Sequence, residues 1–241
     1  MNSTGQVVAI TGAAGNLGRA AAAAFARHGA QLVLIDMSME HLKSAYPEQR
    51  ADRLLLAADL TAEESVKTAA TSAFEKFNKV DVLCNIAGGF HYGEPVHKMG
   101  VDVLRRMVDL NAVTMLNAVK FVVPRMIEAG SGTVINIGAA AHVHGHAHMS
   151  AYAVGKGAVL RLTESMAEEL QDTGVNVFCV MPTLIDTPQN RHDMPTADFS
   201  TWTPPDDIAG LMLLLTEPAA ALMSGCSIPL KGRLKRRTRP G

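Results

Sequence analysis

Tyr152 and Lys156 stand four residues apart in a stretch with helical patterning, so both side chains lie on one face. A phenol ordinarily ionises near pH ~10 and a lysine near ~10.4, so neither alone suits proton chemistry at neutrality. An ammonium beside a phenol favours the phenolate, and the pair becomes a usable proton donor and acceptor. A Tyr-x-x-x-Lys spacing is also common on plain helix surfaces. Its place in the chain, after the motifs that follow, gives it meaning.

The first of these is Thr11-Gly12-Ala13-Ala14-Gly15-Asn16-Leu17-Gly18, between a short apolar run and an alanine-rich helix. Glycines allow a tight turn, close approach of backbone to phosphate, and close packing of helix on strand. The helix start then offers unpaired N–H groups to a pyrophosphate. Asp36 ends the second apolar run 18 residues beyond Gly18, where a carboxylate can accept both ribose hydroxyls of NAD and repel a 2′-phosphate. Met37 and Ser38 supply no cation to reverse that choice, so NAD is expected rather than NADP. Asp59 and Leu60 follow the third run, where Asp59 either holds the adenine edge or caps the next helix. Asn85-Ile86-Ala87-Gly88 ends the fourth, with small residues that let a cofactor approach backbone.

The elements that must position these groups follow from periodicity. Residues 7–10, 31–35, 53–58, 80–85, 133–137 and 175–181 are brief and continuously apolar, as expected of parallel strands covered on both faces. Helical patterns span 16–28, 63–77, 101–129 and 150–172. Gly29, Gly130 and Gly174 follow three of them, where a left-handed cap is wanted. The alternation predicts an α/β fold, a single-domain Rossmann-like doubly wound parallel sheet with helices on both faces. Residues 1–230 would form the dinucleotide-binding domain, and 231–241 a basic tail. The Pro-, Thr- and Asp-rich stretch at about 183–205 has no period and reads as a long loop or lid.

Bulk composition agrees. The 241 residues are 48% apolar and 19% charged, the balance of a globular core. Net charge is −1, with no excess to draw the body to nucleic acid or lipid. Lys231, Arg233, Lys235, Arg236, Arg237 and Arg239 crowd the end, leaving 16 of the 22 basic residues against 23 acidic ones elsewhere. Such a tail reads as a solvated end before a nucleic-acid arm. Cys84, Cys179 and Cys226 lie in apolar runs without metal spacing, so buried reduced thiols in a cytoplasmic protein are expected. No signal peptide and no membrane span is expected. Alternating histidines at 142, 144, 146 and 148 share a face but lack acid or cysteine partners, so no metal is expected.

Together, Thr11–Gly18, Asn85-Ile86-Ala87-Gly88, Asn111, Tyr152-x-x-x-Lys156 and Pro182 to Thr187 resemble the short-chain dehydrogenase/reductase family in order and spacing, over nearly the whole chain. The resemblance implies that Tyr152 passes a proton while the nicotinamide passes hydride. It implies that Lys156 tunes the tyrosine and holds the ribose, that Asn111 holds a relay water, and that Thr187 reaches the nicotinamide amide. It also implies a small-molecule substrate and a homodimer or homotetramer built on the two long helices.

Two departures stand out. The family's Gly-x-x-x-Gly-x-Gly is replaced by glycines at 12, 15 and 18, and the serine thirteen residues before the tyrosine is Ala139. Losing a polarising donor lowers rate by roughly 10²–10³ where the reaction depends on it. His146 or His148 could take that role. Alternatively the substrate is a conjugated ring, since residues 183–204, including Leu184, Asn190 and Trp202, resemble the lid of the dihydropteridine reductase branch, which also lacks the serine. An ordinary carbonyl reductase or alcohol dehydrogenase, and a non-catalytic NAD(H) sensor or scaffold, are the other readings open at this point.

Overall fold

The structure is a computed structural model and describes residues 3–140 and 144–232. Seven strands, β1 (Val7–Thr11), β2 (Gln31–Asp36), β3 (Arg53–Ala57), β4 (Val82–Asn85), β5 (Gly132–Ile137), β6 (Val175–Pro182) and β7 (Ser227–Leu230), make one sheet. Its order is β3-β2-β1-β4-β5-β6-β7, parallel throughout. The order reverses between β1 and β4, and the carboxyl ends of the strands open a crevice at that switch point.

Period-two patterning explains why the strands are apolar throughout. Val8, Ile10, Leu32, Leu34, Ile135 and Phe178 enter one core. Their neighbours Val7, Ala9, Val33, Val134 and Val177 enter another on the opposite face. Helices α1 (Asn16–Arg27) and α8 (Pro205–Leu215) cover the first face, and α3 (Glu63–Phe77) and α5 (Thr114–Ala129) the second. Ala21, Ala22 and Ala24 are buried, which is how the alanine run lets α1 lie close to the sheet. Gly29, Gly130 and Gly174 all carry positive φ, at 83°, 67° and 77°.

Several elements differ from expectation. The long helix is α4 (Val101–Val108) and α5 joined through a π turn at Asp109–Val113. Its length and composition would suffice to cross a membrane, yet 56% of its apolar window is buried. Val119, Val122, Val123 and Met126 pack it against the sheet as a core helix. Helix α6 (Ser150–Glu169) stops at Glu169, short of Asp172. The stretch expected to be a plain loop carries α7 (Pro188–Asp193) and a 3-10 turn at Phe199–Thr201, and Ile185 bridges Thr203. Thr187 caps α7 by accepting from Asn190 N, with Pro188 in the first turn, a start signal legible in Thr-Pro. Helix α2 (Met39–Ala45), capped by Ser38, together with α8 and β7, lies outside the elements that patterning defined. Arg233, Lys235, Arg236, Arg237 and Arg239 of the tail lie outside the described residues, as does His142.

Candidate active site

The crevice has a volume of 1420 Å³ and draws its walls from the carboxyl ends of β1 to β6. Along β1, Gly12 adopts φ +64°, and a Cβ there would come within 3.0 Å of the Ala87 backbone. A Cβ on Gly18 would stand 2.2 Å from the Gly12 carbonyl oxygen and 2.8 Å from Ala13 Cα, so helix and turn meet only because that side chain is absent. Gly15 caps α1 in extended conformation without a side-chain hydrogen bond, and the first turn of α1 holds no acid. A Cβ on Gly15 would meet only the Gly12 carbonyl oxygen within 4 Å. Bare backbone at an uncapped helix start is the kind of surface a pyrophosphate needs.

Asp36 reaches the same turn. Its Oδ2 accepts from Ala14 N at 2.9 Å and its Oδ1 from Met37 N at 2.9 Å, which fixes the carboxylate at the end of β2 facing the crevice. Tyr46 of the residue after α2 donates to Ala13 O at 2.7 Å and braces the turn from behind. Asp59 and Leu60 line the crevice beyond it. Asp59 Oδ1 accepts from Thr61 N at 2.9 Å and from Thr61 Oγ1 at 2.6 Å, and these bonds hold its carboxyl below the usual range. The N-cap of α3 is Ala62, so Asp59 shapes the preceding turn rather than capping the helix.

At the end of β1, Thr11 Oγ1 accepts from both Ile86 N and Ala87 N, just past β4, at 3.0 and 3.1 Å, tying the two switch-point strands together. Ala87 and Gly88 line the crevice, whereas Asn85 does not. Its side chain is buried and donates to Asn136 Oδ1 at 2.8 Å, so Asn85 acts within the sheet. Asn111 likewise stays behind the wall. From the π turn it accepts from Gly89 N at 3.2 Å and donates to Gly89 O at 3.1 Å and Met107 O at 2.9 Å. Its side chain therefore clamps the Gly88–Gly89 backbone.

Tyr152 and Lys156 both line the crevice from the first turns of α6. Lys156 Nζ donates to Ile137 O at 2.8 Å. A Cβ on Gly155 between them would stand 2.5 Å from the Met107 carbonyl oxygen, so α6 is pressed against α4 at this level. Burial dominates both groups: it pushes the Tyr152 phenol up to about 12 and the Lys156 ammonium down to about 8. This corrects the expectation of a phenol lowered by its lysine. For each group desolvation by burial is the largest cause of the shift.

The remaining expected site residues divide. Ala139, His146, Pro182, Leu184, Thr187 and Asn190 line the crevice. Asn190 Nδ2 donates to Ile185 O at 2.8 Å. His148 does not line it: with φ +65° its ring Nδ1 donates to Gly93 O at 2.9 Å and the ring stacks on Tyr92. Trp202 is buried and packs on Phe199, because the 3-10 turn folds it inward. Cys84 and Cys179 are buried thiols, but Cys226 is exposed just before the edge strand β7. Among the described residues no three His, Cys, Asp or Glu side chains converge as a metal site. Phe90, Tyr92, Met149 and Met194 also line the crevice and escaped the sequence reading. The aromatic pair beside a glycine turn was the available signal.

A doubly wound sheet with a glycine turn at the switch point and a tyrosine–lysine pair across the crevice defines a dinucleotide-dependent oxidoreductase fold. Residues 6–197 match the short chain dehydrogenase family, and the chain belongs to that family. It is 30% identical over 242 residues to the 2,5-dichloro-2,5-cyclohexadiene-1,4-diol dehydrogenase LinX of Sphingobium indicum, with 95% of each chain covered. It is 29% identical to meso-2,3-butanediol dehydrogenase of Serratia marcescens over 96% of this chain and 95% of that one. Among solved structures, NAD+-bound xylitol dehydrogenase superposes with a TM-score of 0.89 at 26% identity, covering 97% of this chain and 100% of the other.

Proposed function

We propose that this oxidoreductase uses NAD(H) to interconvert a small conjugated or carbonyl substrate and its reduced form. When bound, the nicotinamide supplies or accepts hydride. The single observation that carries the reading is one crevice with Asp36 and the glycine turn at one end and Tyr152 with Lys156 at the other. Gly12, Gly15, Asn16, Leu17 and Gly18 would hold the pyrophosphate, Asp36 the adenosine ribose, Asp59 and Leu60 the adenine, and Ala87, Gly88, Pro182 and Thr187 the nicotinamide half. Tyr152, protonated at neutral pH, would deliver its proton to the substrate atom that gains electron density. Lys156 would sit under the ribose and favour the phenolate left behind. Asn111 would position the Gly88–Gly89 wall.

Ala139 carries no hydroxyl to polarise a carbonyl. This supports an acceptor already polarised by conjugation, such as a quinonoid dihydropterin. A second reading, a plain secondary alcohol or ketone, is supported by relatives whose names specify diols and a polyol; there His146 would be the polarising donor. The 183–205 segment would close over either substrate. Exposed Leu116 and Val154, on α5 and α6, support a homodimer or homotetramer through those helices. NADH oxidation with quinonoid dihydropterin, set against a panel of ketones and aldehydes, separates the two readings: turnover of ketones alone removes the pterin. Tighter binding of NADPH than NADH would overturn the assignment of Asp36.

A further inference from the structure

We infer that the substrate of this site is an uncharged ring compound, received on a shelf formed by Phe90 and Tyr92. The inference rests on the hydride-transfer reading above and gives it a substrate class. Phe90 is 60% and Tyr92 63% exposed, yet both line the crevice beside the proton donor. The Phe90 ring stands edge-on to Tyr152, with centroids 5.0 Å apart and planes at 77°. Tyr92 stacks on His148 at 5.2 Å.

The segment that carries them is pinned at both ends. Gly89 is held by Asn111 through two hydrogen bonds. Gly93 donates to His148 O at 2.9 Å and accepts from His148 Nδ1 at 2.9 Å. Large aromatic faces left in water on a fixed backbone are ready to be covered at low entropic cost. The same crevice is also lined by Leu184, Met149 and Met194, apolar side chains that adapt to a ring. Away from Asp36, His41 and Asp59, the ionisable side chains among the described lining residues, besides the tyrosines, are His146, Lys156 and Asp193. Lys156, buried and donating to Ile137 O, and Asp193 carry opposite charges, so a carboxylate or phosphate on the substrate would meet no net positive charge. Neutral rings fit, and anions do not.

The test compares 1-indanone with 2-nonanone, two neutral ketones of equal carbon number, and with benzoylformate as an anionic aryl ketone, using the full chain and NADH. The expected kcat/KM favours the ring ketone over the open-chain one by about tenfold. Phe90→Leu and Tyr92→Ala are each expected to lower that ratio by about twofold to tenfold, chiefly through KM, the range that aromatic pairing gives beyond area. Leu222→Ala, a change at a 94% exposed residue outside the crevice, leaves the ratio unchanged. Saturation-transfer NMR of 1-indanone on the chain reads the shelf whether or not these ketones turn over, and its signal is expected to fade in the Phe90→Leu/Tyr92→Ala double variant. Undiminished transfer in that variant, or preference for benzoylformate, overturns the shelf while leaving hydride transfer intact. Failure to bind NADH at all overturns the underlying reading instead.

Discussion

Tyr152 and Lys156 share a helical face, but burial drives their proton affinities in opposite directions, the phenol to about 12 and the ammonium to about 8. The phenol therefore keeps its proton across the neutral range, as a donor for reduction must. The lysine is charged below pH 8 and neutral above it, so support for the departing proton fades as pH rises. Reduction is expected to slow as pH climbs through about 8, and a pH–rate profile flat from 7 to 9 would contradict this. The same shift bears on stability. An unfolded lysine titrates near ~10.4, so between that value and 8 the folded state binds fewer protons than the unfolded one. Its burial therefore destabilises the fold increasingly as pH falls from about 10.4 to 8, and fully below that. Lys156→Met is expected to raise stability at pH 7 by roughly 1–2 kcal/mol, after allowance for the Ile137 carbonyl left unpaired. The gain shrinks toward pH 10, and thermal melts at both pH values check the sign. Ala139→Ser adds the missing hydroxyl, and if carbonyl polarisation limits rate, ketone turnover should increase by about tenfold or more.

At the scale of elements, two close approaches set the site. Gly18 lets α1 start against the β1 turn, and Gly155 lets α6 lie against Met107. Gly155→Ala should push α6 outward and carry Tyr152 and Lys156 with it, lowering kcat by about 10²-fold, the scale of a ~1 Å misplacement. NADH affinity should change far less, since the glycine turn is untouched; titration beside steady-state kinetics separates the two. Strands β1 to β6, α1 and α3 were legible because apolar runs, alanines and capping glycines agree locally. The π turn was not: it carries Asn111, whose side chain bonds Gly89, a contact remote in sequence. Nor was the inward turn of Trp202, which follows directly on the 3-10 turn at Phe199–Thr201. Tyr152, Lys156, Asp36 and the glycines were legible as a set because chemistry fixes their spacing to strand ends. The seats of His148 and Asn85 were hidden, since each is spent on a neighbour rather than on the crevice.

For the molecule as a whole, the parallel sheet brings residues at six strand ends to one crevice, which could seat a dinucleotide and a small substrate together. Asp36 sits at the cofactor end, and Asp36→Ser should narrow the gap between NADH and NADPH binding by about tenfold, read as thermal shift with each nucleotide. The most direct measurement of the central claim is the full chain against Tyr152→Phe, with NADH affinity by calorimetry and NADH oxidation with the dihydropterin and ketone panel. Removing a positioned proton donor is expected to lower turnover by about 10²–10⁴-fold while NADH binding stays within about twofold. Turnover by Tyr152→Phe at the unmodified rate, or an intact chain that fails to bind NADH, would contradict the assignment of this crevice to hydride transfer.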